Sequence, residues 1–373
     1  MAPRNLAEAF AKSASSADNS TKPPMTYTRL GRSGLKISSV LLGAMSYGNP
    51  TTGEPWTLPA EKALPLLHYA YQRGINTWDT ADVYGQGTSE EIIGQAIREF
   101  RIPREHLVLL TKCYLGVDAK ITASGKIDAQ MSMTNDGYMV NRVGLSRKHI
   151  FDAVDASVKR LGTYIDVLQI HRLDRDVEPE EIMRALNDVV ESGKVRYIGA
   201  SSMAAWEFQM LNTVAEKHGW HKFISMQNYH NLLYREEERE MHPYCAHAGI
   251  GIIPWSPLAQ GILARPWSTT TATSSTDSSL RTQHNQYFNL IFNPQDKPIV
   301  DKVEEISRRV GKSMAVVAGA WSLRKGVNPI LGLGSRERID EAVEMVRYAG
   351  EMGDEVVKEL DAVYVPKGVV PVY

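Results

Sequence analysis

Between residues 39 and 334 the chain alternates eight short apolar runs with longer amphipathic ones. The apolar runs are "SVLLGAM" (39–45), "INTWD" (75–79), "LVLLTK" (107–112), "YIDVLQIH" (164–171), "VRYIGASS" (195–202), "FISMQN" (223–228), "IGIIPWS" (250–256) and "NPILGLG" (328–334). They read as strands, and the segments between them as helices: 60–73, 89–99, 147–161, 179–191, 203–218, 235–248, 298–309 and 335–348. Cap signals such as "TSEE" at 88–91 and "PEEI" at 179–182 support the helix starts. Apolar strands separated by helices, joined by right-handed crossovers, predict a parallel sheet. Eight of them predict an α/β fold closed into a (β/α)8 TIM barrel. The alternative is an open doubly wound sheet, which wants a Gly-rich phosphate turn after its first strand. "LGAMSYG" lacks that spacing.

Further elements decorate the repeat. "RLGRSGLKISS" alternates apolar and polar residues around Gly31 and Gly34, as an N-terminal hairpin does. Extra helices are expected at 313–325 and 352–363. Long βα loops at 113–146 and 261–297 follow the third and seventh strands, at the barrel end where sites are built. Residues 1–24 read as a mobile tail, and 25–373 as one barrel domain. Glu8 and Asp18 argue against a transit peptide, and no apolar run approaches the roughly 18 residues a membrane span needs. A net charge of −1 gives no basic excess for nucleic acid or an anionic membrane. Cys113 and Cys245 form no disulfide framework or metal motif, which suits a reducing, cytoplasmic setting.

The C-terminal strand ends carry the chemistry. They hold Asp79 with Tyr84 just beyond, Lys112, His171, Ser201 and Ser202, Gln227, and Trp255. Any one of them could be a structural ion pair or a cap. Four ionisable groups at successive strand ends of a closed barrel converge on one mouth. A tyrosine phenol ionises near pH 10 and is a poor proton donor at neutrality, but an adjacent ammonium stabilises its phenolate. Asp79 can hold Lys112, and His171 can orient a carbonyl oxygen beside Tyr84. Such a group protonates a carbonyl oxygen while the carbon receives a hydride, which only a cofactor such as nicotinamide supplies. Trp255 offers a flat face to that ring, and Ser201, Ser202 and Gln227 can hold its carboxamide.

"GINTWDTADVYGQGTSEEIIGQAI", the Lys112 strand end, "DVLQIHRLD", "YIGASS", "MQNYHNLLYR" and "IPWSPLAQGILAR" resemble the aldo-keto reductase superfamily from about residue 27 to 350. The likeness is greatest to fungal members of the versiconal hemiacetal acetate reductase type. The resemblance implies an NADP(H)-dependent reductase of a small-molecule aldehyde or ketone, with Tyr84 as proton donor, Asp79 and Lys112 as the pair that tunes it, and His171 orienting the carbonyl. It implies cofactor contacts at Met45, Asp79, Ser201, Ser202, Gln227 and Trp255. Ser256, Pro257, Leu258 and Gly261 would run along the pyrophosphate, with Arg265 and Arg281 as phosphate partners. Gly334, Arg338 and Glu341 would hold the adenosine end, Arg338 at the 2′-phosphate and Glu341 at the adenine. The asparagine usual after that glutamate is Ala342 here. Tyr47, Trp56, Tyr114 and Trp267 are candidates for a substrate pocket that favours aromatic or apolar carbonyls, as in fungal secondary metabolism.

A second reading is a cofactor-binding partner protein, like the potassium-channel beta subunits of the same superfamily. Those carry asparagine where this chain has His171, so the full set of four favours an enzyme. His68, His218 and His221 read as packing or surface residues, "REEEREMH" (235–242) as a solvated helix face, and Cys113 as pointing out of the barrel. No His, Asp or Glu spacing suggests a metal.

Overall fold

The computed structural model describes residues 25–51, 54–122, 129–270 and 293–369. The expected N-terminal tail and Arg281 lie outside them.

The barrel expectation holds. Strands β1 (Tyr27–Arg29) and β2 (Lys36–Ser38) form an antiparallel hairpin. Eight parallel strands follow: β3 (Leu41–Gly43), β4 (Thr77–Asp79), β5 (Val108–Cys113), β6 (Ile165–Ile170), β7 (Val195–Ser201), β8 (Ser225–Gln227), β9 (Gly251–Ile252) and β10 (Ile330–Gly332). Their order is β10-β3-β4-β5-β6-β7-β8-β9. Two backbone bonds close the ring: Asn328 donates to the Ile252 carbonyl and Ile330 to the Pro254 carbonyl, both at 2.9 Å. Each strand falls within its expected apolar run or a residue beyond it, and each except β5, which equals its run in length, is shorter than the run.

The hairpin plugs the N-terminal end of the barrel. Leu30 and Ile37 pack inside against Leu41, Val108, Leu110, Val167, Ile253 and Ile330. Gly31 has φ +60°, and a Cβ there would lie 2.3 Å from the Gly249 carbonyl oxygen. Only glycine lets the turn approach closely enough for Arg32 to donate to that carbonyl.

Helices of eight or more residues among the described positions are α1 (Ala60–Gln72), α2 (Thr88–Glu99), α3 (Arg147–Leu161), α4 (Pro179–Glu191), α5 (Ala205–His218), α6 (Met241–Ala248), α7 (Lys297–Val310), α8 (Met314–Arg324), α9 (Arg336–Glu351) and α10 (Asp354–Ala362). Ser146, Ser313 and Ser335 cap α3, α8 and α9 through their hydroxyls. Their apolar faces form the larger core, which lies outside the sheet and contains Trp78, Phe208 and Trp321.

The expected helix over 235–248 is instead a short 3-10 turn, Glu236–Glu238, followed by α6. Pro243 explains the break. It has no N–H to donate, and its ring would collide with the Arg239 carbonyl of a continuous helix. The expected solvated face also proves otherwise. Arg235 pairs with Glu238 at 2.7 Å and with Asp361 at 2.9 Å, while Glu236 is buried and accepts the Tyr364 hydroxyl at 2.6 Å. Asp361 and Tyr364 lie more than 120 residues from Arg235 and Glu236 in sequence, beyond the reach of a local pattern. His68 stacks on Phe100 and His218 on Trp220, as packing residues do.

Candidate active site

Strand alternation decides which side chains enter the barrel. On β5, Val108 and Leu110 face inward with Lys112 next in the same parity, while Leu109 and Cys113 join the outer core. On β6, Val167 faces inward, which places Gln169 and His171 inward too. Lys112 and Gln169 are register partners, as are Ser201 and Gln227. The apolar floor therefore gives way to a polar layer at the C-terminal end. Gly199 makes room for it: a Cβ there would lie 2.3 Å from the Ser225 hydroxyl and 3.1 Å from Gln169.

Asp79 and Lys112 centre that layer, both buried. The Lys112 Nζ lies 2.7 Å from Asp79 Oδ2, donates to the Thr80 carbonyl at 2.8 Å, and reaches the Tyr84 hydroxyl at 3.5 Å. The other Asp79 oxygen accepts from the amides of Gln169 and Gln227, each at 2.9 Å. Gln227 also donates to Gln169 Oε1 at 2.9 Å. Burial alone would pull the lysine down. The carboxylate of Asp79, followed by the Tyr84 oxygen, more than offsets this and holds Lys112 above its usual range.

Tyr84 opens a 3-10 turn, Tyr84–Gly87, separated from the end of β4 by four residues. Its ring meets the His171 ring edge-on, with centroids 5.9 Å apart. His171 Nδ1 is buried without a hydrogen-bond partner among the described residues. Burial first, then the Lys112 and Arg172 charges, hold this imidazole well below its usual range. The ring is therefore neutral at physiological pH and can donate or accept without carrying charge.

Beside this group, Ser201 and Ser202 are buried with hydroxyls 3.5 Å apart. The Trp255 indole donates to Ser202 Oγ at 3.3 Å. One Trp255 face stacks on Tyr229 at 4.5 Å, and Tyr229 stacks on Tyr234 at 4.8 Å. Ser256 (φ 52°), Ala259 (φ 46°), Gln260 (φ 56°) and Gly261 (φ 99°) follow in left-handed backbone. Asn231 holds the turn by donating to the Ser256 carbonyl at 3.0 Å, and the Arg265 guanidinium folds over Gly261. Pro257 is buried and Leu258 half-buried within it. Within the turn, Ala259 N–H donates to the Ser256 carbonyl and Gly261 N–H to the Leu258 carbonyl, each at 2.9 Å.

At β10 the Ser335 hydroxyl accepts from Arg338 N–H at 3.4 Å, so the N-terminus of α9 opens beside the mouth. The Arg338 side chain is exposed, lies beside Gly334, and makes no ion pair among the described residues. Glu341 accepts from the Ser313 hydroxyl at 2.6 Å. Ala342 is fully buried in the core. Met45 sits half-exposed on the rim after β3.

The pocket candidates divide. Trp56, Tyr114 and Trp267 are half-buried in loops that leave the strand ends. Tyr47 is fully buried in the core and donates its hydroxyl to the Leu333 carbonyl at 3.0 Å, so it packs the barrel rim. Gln169 and Tyr229 were not anticipated. Gln169 had a signal, as a lone polar residue inside "DVLQIH", two positions before His171 on the same strand face. Among the described residues, no His, Cys, Asp and Glu group could hold a metal, and no helix is long and apolar enough to cross a membrane.

A barrel with an Asp–Lys–Tyr–His group at its mouth and an aromatic platform beside it defines a class of oxidoreductase, and comparison with known sequences agrees. The sequence profile of the aldo/keto reductase family matches residues 39–365, and the chain belongs to that family. Enzymes of the family reduce or oxidise small-molecule carbonyls and alcohols with NAD(P)(H). Versiconal hemiacetal acetate reductase of Aspergillus parasiticus is 55% identical over 93% of this chain and 99% of its own length. A Schizosaccharomyces pombe protein, provisionally described as an aryl-alcohol dehydrogenase, is 50% identical over 93% and 98%. An aldo-keto reductase of Alternaria alternata is 45% identical over 91% of each chain.

The neutral state of His171 makes a pH signature. Its folded-state affinity for protons is depressed, so the unfolded chain binds the extra proton first. The stability this ring contributes is full above about pH 6.5 and is lost as pH falls below it. His171→Gln should therefore lose less stability than the wild type between pH 7 and 5, by about 1 kcal/mol or more in urea denaturation. Parallel pH profiles would contradict the assignment.

Proposed function

We propose that this protein reduces an aldehyde or ketone to the alcohol, with NADPH as hydride donor and Tyr84 as proton donor. The observation that carries the reading is the Lys112 ammonium, buried between Asp79 and the Tyr84 hydroxyl and 3.5 Å from the latter. A bound NADPH would supply the hydride. Tyr84 gives its proton to the carbonyl oxygen as the carbon is reduced. The Lys112 charge stabilises the phenolate left behind, and Asp79 keeps Lys112 in place. His171 holds the carbonyl oxygen next to the phenol.

The remaining residues fit that cofactor. The face of Trp255 opposite Tyr229 suits the nicotinamide ring, with Ser201, Ser202 and Gln227 beside its carboxamide. The left-handed turn of Ser256–Gly261 and Arg265 suit the pyrophosphate. The N-terminus of α9 and Arg338, which makes no ion pair among the described residues, suit a 2′-phosphate, which a guanidinium binds far better than a bare hydroxyl. Trp56 and Tyr114 favour an aromatic or apolar substrate. The likeness to a versiconal hemiacetal acetate reductase supports that preference and a place in fungal secondary metabolism. The two free, buried cysteines suit the reducing cytoplasm.

Tyr84→Phe should lower kcat for 4-nitrobenzaldehyde reduction by at least about 10²-fold. Its NADPH affinity, read by quenching of tryptophan fluorescence, should change less than about twofold; turnover near wild type would rule out Tyr84 as the proton donor. Arg338→Ala should weaken NADPH by about ten- to a hundredfold and NADH hardly at all, because a charged hydrogen bond contributes about 1.5–3 kcal/mol. Equal losses for both cofactors would show that Arg338 does not read the phosphate.

A further inference from the structure

The turn that carries Tyr84 holds a residue its backbone does not favour. Gly85 (φ 57°), Gln86 (φ 53°) and Gly87 (φ 95°) are all left-handed. Glycine tolerates this at the outer two positions, but a glutamine at the centre is strained. A third glycine would relieve the strain, so the side chain at 86 must do something that glycine cannot.

That side chain leaves the turn and enters the long connection between β5 and α3. Gln86 Oε1 accepts from the Asp118 backbone N–H at 3.1 Å, and its Nε2 donates to Ser132 Oγ at 3.4 Å. Ser132 in turn donates to the Gly116 carbonyl at 3.0 Å, and Gly116 N–H donates to the Ser132 carbonyl at 2.8 Å. One amide thus reaches both legs of the connection. Bonds spread outward from the contact: the Asp118 carboxylate accepts from Arg142 at 2.6 Å and from Tyr138 at 3.2 Å.

Among its described residues, the connection also has a core of its own. Ile121, Met139 and Val143 form an apolar cluster separate from both barrel cores, with Met131 against it. A unit with its own core needs a fixed point on the barrel to stand at a defined distance from the chemistry. Its first residue after the strand, Tyr114, is one of the half-buried aromatics near the mouth. We infer that Gln86 is a positioning residue that sets the spacing between this connection and the Tyr84 hydroxyl, and thereby the size of carbonyl substrate admitted. The inference rests on the reading of Tyr84 as proton donor, since that hydroxyl is where the admitted carbonyl must arrive.

Gln86→Gly removes the tether and the backbone strain together, so the variant folds at least as well as the wild type. Ser132→Ala cuts only one leg and serves as the milder case. Two readouts separate the tether from the chemistry. Limited trypsin digestion, followed by mass spectrometry for cleavage at the exposed Lys120, should be at least about fivefold faster in Gln86→Gly. The ratio of kcat/KM for a three-ring aryl ketone to that for 4-nitrobenzaldehyde should shift at least about fivefold, through KM, while kcat for the small aldehyde stays within about twofold. Unchanged digestion and an unchanged ratio would overturn the proposal. Faster digestion with no reductase activity even in the wild type would keep the tether and fail the reading of Tyr84 instead. Faster digestion with an unchanged ratio would overturn the role in substrate size.

Discussion

The structure depends on one buried ion pair, Asp79 with Lys112, at 2.7 Å in the polar layer of the barrel. Two charges taken from water cost several kcal/mol each unless their remaining hydrogen bonds are met. Here they are met. Asp79 accepts from Lys112, Gln169 and Gln227, and Lys112 also donates to the Thr80 carbonyl. An apolar pair of similar volume would often serve stability as well; what it could not do is place an ammonium 3.5 Å from the Tyr84 hydroxyl. The strands supply the rigidity. Asp79 pairs in register with Gly43 and Leu110, and Lys112 with Gln169, so the spacing of the charges is set by sheet geometry, not by loops.

Around that fixed layer, the mouth is built from backbone under strain. Gln86, Ser202, Ser256, Ala259 and Gln260 all have positive φ without being glycine. Such residues persist only where their surroundings over-determine them, and they gather at sites. Two left-handed runs, Gly85–Gly87 and Ala259–Gly261, leave the ends of different strands. The first turns the chain sharply past Tyr84, and the second brings Gly261 under the Arg265 guanidinium. Outside them, the Tyr234–Tyr229–Trp255 stack backs the indole, and the ion pairs of Arg235 with Glu238 and Asp361 tie the same segment to the C-terminal helix.

The barrel was legible in the sequence because its signal is periodic and local. Eight apolar runs marked eight strands, and the polar residues at their ends marked the mouth. Strand bounds came out long because apolar character continues past the last ladder bond. Failures came where the cause was distant or conformational. The helix over 235–248 breaks ahead of Met241 because Pro243, in the first turn of α6, cannot extend a helix back through Arg239, a cause that is visible in the sequence. The burial of Glu236 depends on Tyr364 and Lys367, which no local pattern can reveal. Tyr47 stands close to the mouth in sequence but spends its hydroxyl on Leu333. Gln169 could have been found from strand parity alone. Gln86 could not, because its partners, Asp118 and Ser132, lie in a connection with no periodicity.

The central claim is that Lys112, held by Asp79, stabilises the charge that develops on Tyr84 during reduction. Its most direct test is stopped-flow oxidation of enzyme-bound NADPH by excess 4-nitrobenzaldehyde, comparing wild type with Lys112→Met. With cofactor already bound, the single-turnover rate reports the chemical step. The account predicts a fall of at least about 10²-fold, equal to about 2.7 kcal/mol of lost transition-state stabilisation. A single-turnover rate within about twofold of wild type in a folded, NADPH-saturated variant would contradict it.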